Sequence, residues 1–239
     1  MGLQYRDPDS NNDFILPYPD LLLLSDSSGR FIDASLNIDD QNNGNGKICG
    51  FSHDASTGDF DNDGDYDIFA CNLLLVNDGL GNFEIHQDLD FNLQQAYGNP
   101  MSSLIVDLNN DNYADLVFWN FDNRPNSIPE EGFALVSDGT ANVDNWTLVE
   151  LPEGPFGRNH NKFNHAAWGD LNNDGNNDVV VGITRDLPYY EGAYVQVLMG
   201  DGTGNLVDVT NTNFNDQPRQ ATHHGCLLYT SPSPRDSRV

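Results

Sequence analysis

Apolar residues along this chain come in short blocks separated by dense polar stretches. Ile68-Phe69-Ala70, Leu73-Leu74-Leu75-Val76, Leu116-Val117-Phe118 and Val179-Val180-Val181 are rich in β-branched and aromatic side chains and bounded by Gly, Asn and Asp. Blocks of that length and make-up predict strands, and no stretch repeats apolar residues at helical spacing. Because the blocks are apolar at every position rather than at alternate ones, both faces of the sheets they form are expected to be buried.

The polar stretches between the blocks repeat. Asp59 to Asp67, Asp107 to Asp115 and Asp170 to Asp178 all read D-x-[DN]-x-D-[GN]-x-x-D, each followed at once by an apolar block. A second motif, an apolar block running into a turn, recurs at Leu21 to Gly29, Leu73 to Gly79, Phe133 to Gly139 and Val195 to Gly202. Turn residues that tolerate positive φ directly after an apolar block signal a hairpin. Each repeat therefore predicts a strand, an acidic loop, a buried strand, a longer connection, a third strand, a hairpin and a fourth strand. Self-similar four-stranded units that bury both faces against their neighbours describe an all-β fold, a β-propeller. Units are expected at about Ser52 to Asp88, Ser102 to Leu151 and Asn164 to Thr210. Leu21 to Asp33 would supply the last two strands of a preceding unit, and Gln220 to Gly225 the start of a following one. The repeats thus occupy 20–225, and the structure of 1–19 is not read from the sequence.

Composition narrows the function. The 239 residues hold 37 Asp and Glu against 10 Lys and Arg, a formal net charge of −27, which excludes nucleic acid and anionic membrane surfaces as partners. No apolar run approaches the roughly 20 residues that span a bilayer. Met1 to Asn12 lacks a basic stretch followed by an apolar one, so no secretory signal is read there. Cys49 and Cys71 flank the first two strands of one unit, and whether they pair is left open. Cys226 to Asp236 matches, residue for residue, the in-frame translation of a transposase-type sequencing adapter. Residues 226–239 are accordingly expected to be read-through rather than native sequence.

The acidic loops have the make-up of cation sites. A hard dication such as calcium takes 6 to 8 oxygen ligands, which a short loop provides when alternate side chains turn inward. Asp59, Asp61, Asp63 and Asp67 would do so in the first loop with the Asp65 carbonyl, and Gly64 would take the positive φ of the reversal. The second loop offers Asp107, Asn109, Asp111 and Asp115 with the Tyr113 carbonyl, and Asn112 stands where the first loop has Gly. The third offers Asp170, Asn172, Asp174 and Asp178 with the Asn176 carbonyl and Gly175 at the turn. An EF-hand would need Glu at the twelfth position, which Ala70, Phe118 and Val181 occupy instead. Three calcium sites are expected, with metal binding linked to folding.

These three loops, together with hairpins of the type Leu-Leu-Leu-x-Asn-Asp-Gly-x-Gly-x-Phe, resemble the FG-GAP/VCBS repeats of integrin-α-like propellers. The resemblance covers most of Asp20 to Gly225 and implies about half of a seven-bladed ring. It implies a calcium-binding, extracellular or cell-surface module for adhesion or recognition, with no enzymatic role. The alternative it leaves open is the propeller domain of a calcium-dependent polysaccharide lyase or hydrolase, with His53 and His165 in the first strands as the visible candidates. In a four-stranded meander the acidic loops and hairpins fall at one end. Lys47, Arg124, Arg158, Lys162, Arg185 and Arg219 fall at the other, with the longer loops and Phe156, Tyr189 and Tyr190. A protein or glycan partner is expected on that loop-rich end, where Arg and aromatic residues can anchor it.

Overall fold

The structure is a computed structural model, described over residues 20–26, 28–39, 48, 54–71, 73–86, 100–120, 132–157, 160–185 and 191–213. Segment 1–19, loops 121–131 and 186–190, the strand expected at 220–225, the tail 226–239, and Cys49 and His53 lie outside the described residues.

The apolar blocks form strands, as their make-up predicts. Strands β1 (Leu23–Ser25) and β2 (Phe31–Asp33) form a hairpin. Sheet 1 is β3 (Ala55–Gly58), β4 (Asp67–Ala70), β5 (Leu73–Asn77) and β6 (Phe83–Ile85). Sheet 2 is β7 (Pro100–Val106), β8 (Asp115–Asn120), β9 (Gly132–Val136) and β10 (Thr147–Glu150), and sheet 3 is β11 (Asn161–Gly169), β12 (Asp178–Arg185), β13 (Glu191–Gly200) and β14 (Leu206–Asp208). Each of the three is a four-stranded antiparallel meander, so the architecture is all-β. The first strands lie side by side, with β7 packed against both β3 and β11. No helix among the described residues is long and apolar enough to cross a membrane.

Successive side chains on a strand point to opposite faces, so a wholly apolar strand feeds two cores. Strand β8 shows this directly. Leu116 and Phe118 join Phe60, Phe69 and Leu74 in the seam between sheets 1 and 2. Val117 and Trp119 join Phe163, Val179, Val181 and Ile183 in the seam between sheets 2 and 3. Strand β5 divides the same way, with Leu74 facing sheet 2 while Leu73 and Leu75 pack with Leu22 and Leu24 beside β1. The acidic loops enter this packing through their second residues: Phe60 and Leu108 are buried. Phe60 lies 4.9 Å from the Trp146 ring of sheet 2, centroid to centroid.

Several boundaries differ from the sequence reading. Strands β7 and β11 begin at Pro100 and Asn161, a little before the expected unit starts, and in β11 the polar Asn161, Lys162 and Asn164 are buried. One helical turn, α1 (Thr210–Asn213), follows β14 where no helix was expected. It has no apolar period to betray it; Asp208 Oδ1 sets it by accepting the Thr210 N–H at 2.8 Å. Cys71, in the turn after β4 at φ +59°, is disulfide-bonded, with its partner outside the described residues.

Replacing Phe60 by Ala should open a cavity in the seam between sheets 1 and 2 and cost about 3–5 kcal/mol. Denaturant unfolding would measure it, and a loss below about 1 kcal/mol would mean that the seam is not tightly packed.

Candidate metal centre

Each acidic loop joins the first strand of its sheet to the second: β3 to β4, β7 to β8 and β11 to β12. Asp59–Asp67, Asp107–Asp115 and Asp170–Asp178 are called loops 1, 2 and 3 below, with positions counted from the opening Asp. The opening carboxylate folds the loop over itself by accepting backbone N–H groups from further along the turn. Asp59 accepts from Asp63 and Gly64, both at 3.1 Å. Asp107 accepts from Asn110 at 2.7 Å and Asn112 at 3.0 Å, and Asp170 from Asp174 at 3.1 Å and Gly175 at 3.0 Å. The reversal puts position six at positive φ in every loop: Gly64 at +98°, Asn112 at +70° and Gly175 at +90°. Position four is also left-handed, with Asn62, Asn110 and Asn173 at φ of 60°, 61° and 60°. The sequence reading left that position unspecified. The signal was present, since Asn stands there in every copy and tolerates this region better than most side chains.

The closing Asp has a second task besides any ligand role. Asp67 Oδ2 accepts from Phe60 N–H at 2.7 Å and its Oδ1 from Asn77 N–H at 2.9 Å. Asp115 bridges Leu108 at 2.6 Å and Ser137 at 2.7 Å, and Asp178 bridges Leu171 at 2.8 Å and Gly200 at 2.9 Å. All three side chains are fully buried. Each carboxylate thus ties the second residue of its loop to the start of the hairpin that follows the third strand. Burial pushes Asp67 up to about 6 and Asp115 up to about 7, against the two N–H groups that favour each charge. The neighbouring carboxylates of Asp61 and Asp63, and of Asp111 and Asp107, add to the rise.

Loop 1 differs from the others in what fills its interior. In loops 2 and 3 an Asn at position three donates to the carboxylate at position five: Asn109 Nδ2 to Asp111 Oδ2 at 2.9 Å, and Asn172 Nδ2 to Asp174 Oδ2 at 2.8 Å. Asp174 is accordingly held below the usual carboxylate range by the Asn176 N–H and the Asn172 amide. Loop 1 has Asp61 at position three, a carboxylate with no proton to donate. Asp61 Oδ1 and Asp65 Oδ1 are buried with no hydrogen-bond partner. Burial, followed by the charges of Asp63 and Asp59, pushes both carboxyls up. Oxygens of Asp59, Asp61 and Asp67 lie within 4.8 Å of one another, a cluster that can hold a metal ion. Asp63, expected as a ligand, is not in that cluster and accepts the Asp65 N–H at 3.1 Å. In loop 2, Tyr113 donates its N–H to Asp111 at 2.8 Å, and in loop 3 Asn176 does the same to Asp174 at 2.8 Å. The donor set fits a hard cation, because orphaned carboxylate oxygens are costly without positive charge and no thiol or imidazole stands among them.

The other sequence candidates divide. His165 is exposed on β11; burial raises the nearby Asp54 carboxyl, against the Ser103 hydroxyl that favours its charge. Asp54 accepts the Ser103 hydroxyl at 2.6 Å, and Ser103 meets Ser56 at 2.9 Å, a polar bridge between β3 and β7. At the loop-rich end Arg185 is exposed, Lys162 is buried, and Phe156 packs on Tyr194 with ring centroids 6.2 Å apart. Lys47, Arg124, Arg158, Arg219, Tyr189 and Tyr190 lie outside the described residues. In the first hairpin the carbonyl of Arg30 accepts the Asp26 N–H at 2.7 Å and closes the turn. No protein-family model matches the chain, and no curated protein matches it.

The closing carboxylates generate two expectations. Asp178→Ala removes the acceptor of the buried Gly200 N–H and of the half-buried Leu171 N–H, so it should cost about 3 kcal/mol whether or not cation is present. Denaturant melts in cation and in chelator would check this, and a loss seen only with cation would give Asp178 a ligand role alone. The raised Asp67 and Asp115 mean that, without cation, the folded chain holds protons the unfolded chain has released. Stability in chelator should therefore fall as pH rises from about 4 towards about 7. Thermal melts at about pH 5 and about pH 7.5 read the slope, and a rise with pH would contradict the assignment.

Proposed function

We propose that this chain is a calcium-binding β-propeller module of the FG-GAP/VCBS kind, about half of a seven-bladed ring, serving recognition of a protein or glycan outside the cell. The observation that carries the reading is the interior of loop 1, where clustered carboxylates leave buried oxygens without partners. Calcium suits it better than zinc or magnesium. The donors are all oxygen and calcium accepts irregular geometry, whereas magnesium demands a stricter octahedron with retained water. The repeated hydrogen-bond pattern supports similar roles for loops 2 and 3. Their Asn109 and Asn172 make them less acidic and less dependent on an ion. The side-by-side first strands and doubly buried second strands support blades around an axis. For the partner surface, the loop-rich end is preferred because the other end is committed to turns and carboxylates.

Calcium calorimetry and terbium luminescence on the intact chain test this reading. Saturable sites are expected, the tightest in loop 1, and their absence would reject it. Asp63→Ala and Asp174→Ala should each lower the melting temperature in calcium while changing it little in chelator. Equal losses in both conditions would show that these residues act without metal. For the partner, changing Arg124, Arg158, Arg185 and Tyr190 together to Ala should weaken a known ligand more than hairpin changes do.

A further inference from the structure

Loops 2 and 3 are tied to each other across the boundary between their sheets. Asn177 Nδ2 donates to the backbone carbonyl of Asp107 at 2.6 Å. Asn110 Nδ2 donates to Asn176 Oδ1 at 2.9 Å. Both bonds end on residues that would surround a cation, since Asp107 opens loop 2 and the Asn176 carbonyl would complete loop 3. The turn between β13 and β14 closes over the pair. The Gly204 N–H donates to the Leu108 carbonyl at 3.3 Å. Gly202 takes φ +73° here, and a Cβ on it would crowd Asn176 Oδ1 and lie 3.0 Å from Asn110 Nδ2, pushing the two amides aside. Among the described residues no hydrogen bond joins loop 1 to loop 2. The residue of loop 2 that corresponds to Asn177 is Ala114, whose methyl packs in the core cluster with Phe60 and has nothing to donate to Asp59.

We infer that loops 2 and 3 form a coupled pair of cation sites and that loop 1 is an independent one; this rests on the calcium reading above. An ion in loop 3 would fix the backbone at Asn176 and Asn177. Those residues in turn hold Asp107 and Asn110, so the ordering that loop 2 needs is largely done before its own ion arrives. Coupling of this kind is reciprocal: each site must raise the affinity of the other by the same factor. A factor of about five, at the lower end of the usual range, is expected from two hydrogen bonds. Among the described residues no such hydrogen bond reaches loop 1, which meets loop 2 only through the packing of Phe60 with Ala114 and should fill with little regard to the others.

The test uses the whole chain, with calcium as titrant and terbium as luminescent probe. Tyr113 inside loop 2 and Trp168 just before loop 3 sensitise terbium locally, and Tyr113→Phe or Trp168→Phe removes one signal at a time. Silencing loop 3 with Asp170→Asn should weaken loop 2 about fivefold, and silencing loop 2 with Asp107→Asn should weaken loop 3 by the same factor. Asp61→Asn in loop 1 should move neither. Asn177→Ala, which reproduces the arrangement already present at Ala114, and Asn110→Gly, which suits φ +61°, should each reduce the coupling while leaving both sites able to bind. Sites that fill independently in the parent chain, or cooperativity that survives both variants, would overturn the coupling and leave the calcium reading standing. No saturable site in any loop would overturn both.

Discussion

Three buried carboxylates hold the repeat together. Asp67, Asp115 and Asp178 each lie where a second strand begins, and each accepts one N–H from the acidic loop before it and one from the hairpin after the third strand. Without that acceptor two N–H groups would be left orphaned, at a cost of about 1–3 kcal/mol each. With it, a loop and a hairpin far apart in sequence are fixed at the same end of the sheet. The raised Asp67 and Asp115 show that this is bought against desolvation, with hydrogen bonds falling short of the full cost of burying the charge.

The rest of the acidic loop follows from how that charge is shared. Asn109 and Asn172 supply internal donors, so the carboxylates at position five of loops 2 and 3 find partners within the chain. Asp61 supplies none, and loop 1 keeps two buried oxygens unmatched. A single group, amide for carboxylate, thus separates loops whose position-five carboxylate is partnered within the chain from one that keeps buried oxygens unmatched. Asp174 is lowered first by the Asn176 N–H and then by the Asn172 amide, whereas burial and then the charges of Asp63 and Asp59 raise Asp61.

Much of the fold was legible because it depends on local pattern. The apolar blocks at Leu73 to Val76 and Leu116 to Trp119 gave both strand and double burial, since a block without alternation has no solvent face to offer. The reversal at Gly64 and Gly175 was equally visible, being a demand on one backbone angle. What escaped was nonlocal or structural in a second sense. Asp67, Asp115 and Asp178 read as ligands by spacing alone, and their bridging role needs the hairpin to be in place. The buried polar stretch Asn161 to Asn164 hides the true start of β11, because polarity in sequence does not reveal sheet pairing. Phe156 reads as a free anchor, although its ring is engaged with Tyr194.

The position of the loops at the seams gives their chemistry mechanical reach. Each hydrophobic cluster lies between sheets rather than within one, so no sheet buries its apolar faces alone. Phe60 and Leu108 belong both to an acidic loop and to a seam. Their N–H groups are the ones that Asp67 and Asp115 accept. Any disturbance of the loop that shifts its second residue therefore loosens the packing of the neighbouring sheet as well as its own. A chain with a net charge of −27 resists compaction through self-repulsion. The acidic loops stand at the seams, so part of that repulsion is held where one sheet meets the next.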